Sequence, residues 1–461
     1  MSPDLFGDFI QLVHAWRWPL LIVLGLAYGL QWRRVPSSMR QFTLTMSLYF
    51  FLVIFAYWLL KPMKKGVFVA HYKLNGGLFG LAPSQMELLA KEANVFIALI
   101  AAFSLIWLRR RFADTGYPVA AVLLFALGFL ALVPLATEPG AAFAWALYVY
   151  GDAFVSGMVA LFFASLHDRS SVADARSVYG LAGLGGVLGG FAGSASAGSL
   201  DQALGVSGTL ATCALLTLAV AGLAWLAARQ AVVRHPARDH AERGFREHGN
   251  LLRGARAALH SPTLRLIAGL LLVYEIVSVI MDYQFTAVVS SQLPASELKA
   301  YFGAVYTFTN LMALVVQLFL ATWMLKRFGP HTALLVMPFV IILGEAAYLA
   351  FPVLLAASLL NTADGAFAYS IQQTARESLY VPLSRREKHE AKAFIDIVWL
   401  RAAKGLAVVI SLAVSLLLPS GSGLWLALVV MLLTAVWLML LRETGQPARI
   451  PPLASAKSSP I

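Results

Sequence analysis

Three lysines stand together at the end of one long apolar run, Tyr57-Trp58-Leu59-Leu60-Lys61-Pro62-Met63-Lys64-Lys65-Gly66. Residues three and four apart are neighbours on a helix, so Lys61, Lys64 and Lys65 share one face. An ammonium group grips phosphate or carboxylate oxygen by charge-assisted hydrogen bonds. Such a cluster either snorkels to headgroups or walls a cavity that attracts anions. Other charges interrupt other apolar runs. Asp152 lies within Tyr148-Val149-Tyr150-Gly151-Asp152-Ala153-Phe154. Glu275 and Asp282 are seven residues apart, roughly on one face, and Glu345, Asn361, Asp364, Gln372 and Gln373 follow. Asp396, Arg401 and Lys404 close the series. A charge in hydrocarbon costs about 2.5–3.5 kcal/mol, so each should face a partner or a wet cavity. Asp396 can neutralise Arg401 or Lys404 on its own helix, whereas the helix of Asp152 offers no base.

These charges need membrane helices to hold them. Of 461 residues, 59% are hydrophobic and 13% charged, and the mean hydropathy is +0.75. A soluble domain carries about 45–50% apolar and 25% charged residues. A soluble enzyme, a disordered chain and a secreted disulfide scaffold are excluded on these grounds. The apolar runs are continuous rather than alternating, which excludes a β-barrel. One cysteine, Cys213, cannot form an internal disulfide. Runs long enough to cross a bilayer sit near 41–60, 92–108, 118–136, 142–165, 178–197 and 207–228. A second set sits near 264–289, 302–325, 332–350, 353–373, 393–418 and 423–441. The expected divisions are 1–40, a cytoplasmic N-terminal segment; 41–228, a six-helix bundle; 229–262, a basic linker; 263–442, a second six-helix bundle; and 443–461, a disordered tail. The start lacks the basic region of a signal peptide, and 18–30 reads as an interfacial helix or a short extra span.

Charge bias sets the orientation. Of 35 Lys and Arg, the outer segments hold only Lys61, Lys64, Lys65, Lys73, Lys91 and Lys299. The positive-inside rule then puts the linker and both termini in the cytoplasm, in a bacterial inner membrane. The net charge of +12 is mostly arginine facing anionic lipid and gives no sign of nucleic-acid binding. The turns Leu108-Arg109-Arg110-Arg111-Phe112, followed by Asp114 and Gly116, and Leu325-Lys326-Arg327-Phe328-Gly329 occupy matching places in the two halves. They resemble the short loop between helices two and three of major-facilitator transporters. The expected fold is therefore an all-α membrane protein, twelve transmembrane helices in two six-helix bundles, of major-facilitator type. The fifth run, from Gly180 through Gly183, Gly185, Gly186, Gly189, Gly190 and Gly193, makes a flat helix face for close packing.

In such a fold the lysines of the first helix and Arg401 with Lys404 of the eleventh come from opposite halves. Five cations suit a polyanion such as a nucleotide phosphate chain. Tyr57, Trp58, Tyr148, Tyr150, Phe154 and Tyr283 offer ring faces for a base, although aromatics in spans also serve as packing. An enzyme is not expected. No Walker loop exists, no cofactor is implied, and the nine histidines, with His235, His240 and His248 in the linker, give no metal site.

The most specific text runs through Ala375-Arg376-Glu377-Ser378-Leu379-Tyr380-Val381-Pro382-Leu383, Lys392-Ala393-Phe394-Ile395-Asp396 and Lys404-Gly405. It resembles the stretch between spans ten and eleven of the ATP/ADP translocases of plastids and intracellular bacteria. Tyr57-Trp58-Leu59-Leu60-Lys61-Pro62-Met63-Lys64-Lys65, Asp152-Ala153-Phe154-Val155-Ser156 and Ala173-Asp174-Ala175-Arg176-Ser177-Val178-Tyr179-Gly180 are similar to further motifs of that family. The likeness spans about 41–442. It implies nucleotide transport, with roles for Lys64, Asp152, Lys404 and a seventh-span acid, either Asp282 or Glu275. The chain departs from the family where Lys61 replaces an arginine, Lys65 an acid and Asp152 a glutamate, and where Ala403-Lys404-Gly405 stands for Gly-Lys-Ser-Gly. The expected substrate-binding set is Lys61, Lys64, Lys65, Asp152, Asp282, Asp396, Arg401 and Lys404, with Tyr57, Tyr150, Glu275, Asp364 and Arg376 behind them. The expectation is a monomeric carrier for a nucleotide, by exchange or uptake, working by alternating access. The alternative is a permease of the same fold for another anionic or amphiphilic solute, moved with protons.

Overall fold

The computed structural model describes residues 35–112, 116–169, 175–230, 251–372 and 394–444, with a few isolated positions outside those ranges. The N-terminal segment around 18–30, most of the linker, most of the motif at 375–396 and the tail from 445 lie outside the described residues.

Helices follow from the solvent. Hydrocarbon offers no hydrogen-bond partner, so each apolar run must satisfy its own backbone. The first half forms α1 (Arg40–Asn75), α2 (Pro83–Arg111), α3 (Tyr117–Leu135), α4 (Ala141–Arg169) and α5 (Ala175–Arg229). The chain of α5 breaks at Gly205, whose φ of 66° suits a residue without Cβ, and so supplies both the fifth and the sixth rods. The second half forms α6 (Leu251–His260), α7 (Pro262–Gln292), α8 (Leu298–Val315), α9 (Thr322–Ala350), α10 (Leu354–Phe367), α11 (Leu400–Leu417) and α12 (Ser422–Thr444). π-Helical turns at Val316–Ala321, Ala368–Gln372 and Ile395–Trp399 join or extend these rods. A break at Gly329, φ 78°, divides α9. Among the described residues, nine helices are long and apolar enough to cross a membrane, and one of them, Leu181–Arg229, contains the Gly205 break and so reads as two crossings. Leu124, Leu215, Leu343 and Leu417 turn apolar side chains outward, as a lipid-facing surface does.

The chain divides into two compact units, Met1–His235 with Leu293–Leu311, and Pro236–Gln292 with Met312–Ile461. In the first, α1 packs along α5 through the expected glycine face. A Cβ on Gly185, Gly189 or Gly193 would lie 2.3, 2.3 and 2.4 Å from the carbonyl oxygens of Ser47, Phe51 and Phe55. The two backbones touch over two helical turns, and only glycine leaves the space. Tyr49, Phe129, Phe154 and Phe162 fill the core beside them. In the second unit, Leu264, Ile267, Leu271 and Ile395 form a core, and Trp399 Nε1 donates to the carbonyl of Ala268 at 2.9 Å.

Candidate functional site

The length of α1 decides where its lysines lie. The apolar run points to an end near residue 60, but the helix continues to Asn75 with Pro62 inside it. The lysines therefore fall within the rod, and Lys64 and Lys65 are only 5% and 3% exposed. Lys64 Nζ pairs with Asp152 Oδ1 of α4, and Asn94 of α2 donates to the other carboxylate oxygen. Gly151 makes this possible, since a Cβ there would stand 2.8 Å from Lys64 Cδ. The lysine stem crosses α4 through the gap the glycine leaves. Its ammonium group sits 4.4 Å from the centre of the Tyr148 ring, a cation–π contact.

Tyr148 links this pair to a second one. Its hydroxyl donates to Glu87 Oε1 at 2.9 Å, and the same oxygen lies 3.2 Å from Lys65 Nζ and 3.6 Å from Lys91 Nζ. Glu87 is 1% exposed, so these contacts replace its water. Lys61 turns to different partners, with Nζ 4.4 Å from the ring centres of both Trp58 and Tyr306. Tyr57 packs edge-on against Trp58. Tyr150 donates to the Phe125 carbonyl and packs on Phe129, and Phe154 is buried in the core, so both rings serve packing.

The second unit carries its own polar seam. Glu275, Ser278 and Asp282 are three and four residues apart on α7 and so share a face. Glu275 Oε1 lies 3.1 Å from Lys404 Nζ of α11, whose side chain is half exposed. Ser278 donates to Asp364 at 2.7 Å, and Asn361 donates to Asp282 at 3.3 Å, both across to α10. Tyr283 is buried. Glu345 is fully buried elsewhere, near Gln284 Nε2 at 3.5 Å, which also donates to the Gly423 carbonyl at 3.1 Å. Arg401 and Arg376 are partly buried, and the side chain of Asp396 lies outside the described residues. Among the described residues no group of three or more His, Cys, Asp or Glu could hold a metal ion.

Sequence reasoning missed Glu87, Asn94 and Ser278. The second run looked too polar before residue 92, yet α2 starts at Pro83, where the Ala82 amide donates to Gln85 Oε1 at 2.7 Å. Proline in the first turn with a reciprocal glutamine was the available signal. It would have put Glu87, Lys91 and Asn94 on one helix.

Such internally paired charges in membrane helices can hold and release a charged solute. Comparison with known proteins decides which family built them. Residues 84–364 match the model of the TLC ATP/ADP transporter family. The chain belongs to that family. The matched region takes in Glu87, Asn94, Asp152, Glu275, Asp282 and Asp364, and leaves Lys64 and Lys404 outside. ADP,ATP carrier protein 1 of Chlamydia muridarum is 25% identical over 203 residues, 39% of this chain and 38% of that one. The protein of the same name in Chlamydia pneumoniae is 22% identical over 202 residues, 39% of each. The match thus spans well under half the length of these curated relatives. Among solved structures, a bacterial homologue of the human lysosomal transporter Spinster aligns with a TM-score of 0.58 at 13% identity, covering 88% of this chain and 98% of its own. A POT family transporter in complex with 5-aminolevulinic acid aligns at 0.60 and 11% identity, covering 90% and 100%. A D-xylose–proton symporter aligns at 0.57 and 13%, covering 88% and 97%. These likenesses establish the fold of this TLC-family chain, a helical membrane protein of major-facilitator type.

Proposed function

We propose that this chain moves nucleotides, by exchange of ATP against ADP or by nucleotide uptake, across a bacterial inner membrane. It would act by alternating access, as a monomer with both termini in the cytoplasm. The observation that carries the reading is Lys64, an ammonium buried in a membrane helix and held by Asp152, whose other oxygen accepts from Asn94, in a chain of this family. Ionisable groups inside spans are expensive and mark solute paths. Lys404 supports it from the second unit, since half its side chain is open to a solute while Glu275 holds its charge. Of the two seventh-span acids, Glu275 is the better candidate because it pairs with Lys404, whereas Asp282 accepts from Asn361. If ATP enters as ADP leaves, one net negative charge moves, and the membrane potential contributes about 2.3 kcal/mol per 100 mV.

Purified protein in vesicles loaded with ADP tests the reading. Labelled ATP should enter, and external ADP should compete. A panel of ATP, ADP, GTP, CTP and UTP with no uptake of any member would overturn it. A second reading, a proton-driven permease for another anionic or amphiphilic solute, draws on Lys65, which stands where the family resemblance has an acid. Uptake that follows an imposed pH gradient and ignores internal ADP would favour it.

A further inference from the structure

One glycine of the α5 face differs from its neighbours in what it meets. Gly185, Gly189 and Gly193 touch the backbone of α1, whereas a Cβ on Gly190 would stand 3.2 Å from Trp58 Nε1 of α1 and 3.5 Å from Asn310 Oδ1 of α8. Asn310 lies in the same compact unit as α1 and α5. The missing Cβ leaves a small niche, and these two polar atoms flank it. Trp58 is 7% exposed, and its indole N–H has no acceptor among the described residues. Neither that N–H nor Asn310 Oδ1 is sealed inside the protein, as the indole N–H of Trp437 is.

The amide of Asn310 has a fixed sense. Its Nδ2 lies 3.2 Å from Ser194 Oγ. The single hydroxyl hydrogen of Ser194 is committed to backbone, since Oγ donates to the carbonyls of Gly190 at 2.9 Å and Phe191 at 3.1 Å. Oγ can then only accept from Asn310, so the amide turns its nitrogen to Ser194 and its oxygen to the niche. The niche thus offers one donor, the indole N–H, and one acceptor, the amide oxygen. A hydroxyl group answers both from a single atom, accepting from Trp58 and donating to Asn310. An ionised phosphate oxygen has no hydrogen for the amide oxygen, and an ammonium has no lone pair for the indole, so neither fits. The cation that a phosphorylated solute needs is close by. Lys61 is three residues on from Trp58, a neighbour on the same helix face, and its Nζ sits 4.4 Å from the centre of the Trp58 ring.

We propose that Trp58, Asn310 and Gly190 form a hydroxyl-binding niche that takes a ribose hydroxyl of the nucleotide, so that the carrier selects ribonucleotides over deoxyribonucleotides. The inference rests on the nucleotide reading above and adds the group that is recognised. A polar site built for a hydroxyl rejects an analogue without it, because its own donor and acceptor are then left unpaired.

Uptake of ATP, 2′-deoxy-ATP and 3′-deoxy-ATP into ADP-loaded vesicles tests it. One of the two deoxy compounds should enter at least about tenfold more slowly than ATP. Trp58→Phe keeps a ring beside Lys61 and removes the N–H. It should slow ATP to the rate of that deoxy compound and leave the deoxy compound's own rate unchanged, so the preference collapses. A packing role alone would lower all three alike, and that result would overturn the niche. Equal uptake of all three by the original protein would remove the niche and keep the proposed function. If Trp58→Phe does not fold, Gly190→Ala, whose methyl group fills the niche, carries the same comparison. A binding arm needs no transport. Protein labelled with 5-fluorotryptophan gives a fluorine resonance for Trp58, identified by its loss in Trp58→Phe. That resonance should shift with adenosine and not with 2′,3′-dideoxyadenosine, and a shift with both or with neither overturns the niche. A carrier that moves no nucleotide but shows the adenosine-only shift fails the proposed function and keeps the niche.

Discussion

Replacing Lys64 should separate folding from transport. Its ammonium is held by Asp152, Asn94 holds the other oxygen, and the Asp152 side chain keeps 30% of its surface exposed. Removing one partner of a buried pair costs about 3–5 kcal/mol. Asn94 and partial hydration soften the loss for Asp152, so Lys64→Ala should destabilise by about 2–3 kcal/mol. Asp152→Asn strands an ammonium whose side chain is 6% exposed, and about 3–4 kcal/mol is expected. Lys64→Met with Asp152→Asn removes both charges and should fall within about 1 kcal/mol of the original, because a buried pair and its apolar replacement are close in energy. The singles and the double therefore differ from additivity by several kcal/mol, read by chemical or thermal unfolding in detergent. Transport should not follow stability. A charge-assisted hydrogen bond to phosphate contributes about 1.5–3 kcal/mol, roughly 10- to 150-fold in uptake, and the stable double variant lacks it. A double variant that folds well and takes up ATP at the original rate would remove Lys64 from the solute path. Additive singles would show that the pair does not hold α1 to α4.

Lys404→Ala should leave stability within about 1 kcal/mol, since its side chain is half exposed, and should lower ATP uptake at least tenfold in vesicles. Glu87→Gln should destabilise by about 3 kcal/mol or more, because Lys65 and Lys91 lose a carboxylate that is almost fully buried, and unfolding midpoints read this directly. Gly189→Leu should abolish folded protein on size-exclusion chromatography, whereas Gly183→Ala, with nothing within 4 Å of its Cβ position, should express normally.

Hydropathy alone located the apolar rods, because lipid accepts only helices whose backbone bonds are internal. The glycine face of the fifth run also carried its meaning locally, since close approach needs small residues at helical spacing, and α1 fills that face. Charge bias and short motifs pointed to Lys64, Asp152 and Lys404. The sequence did not show that α1 runs on past its lysines to Asn75, nor that α2 begins at Pro83, because polar side chains that are satisfied by neighbours read as solvent-facing in a one-dimensional profile. Partners were hidden for the same reason. Lys64 and Asp152 are 88 positions apart, and Ser278 and Asp364 are 86 apart. Helical periodicity reports which side of one rod a residue occupies. Which rod faces it is set by the packing of several helices at once, so the tertiary structure alone assigned Asn94 to Asp152, Glu275 to Lys404 and Lys299 to Asp201.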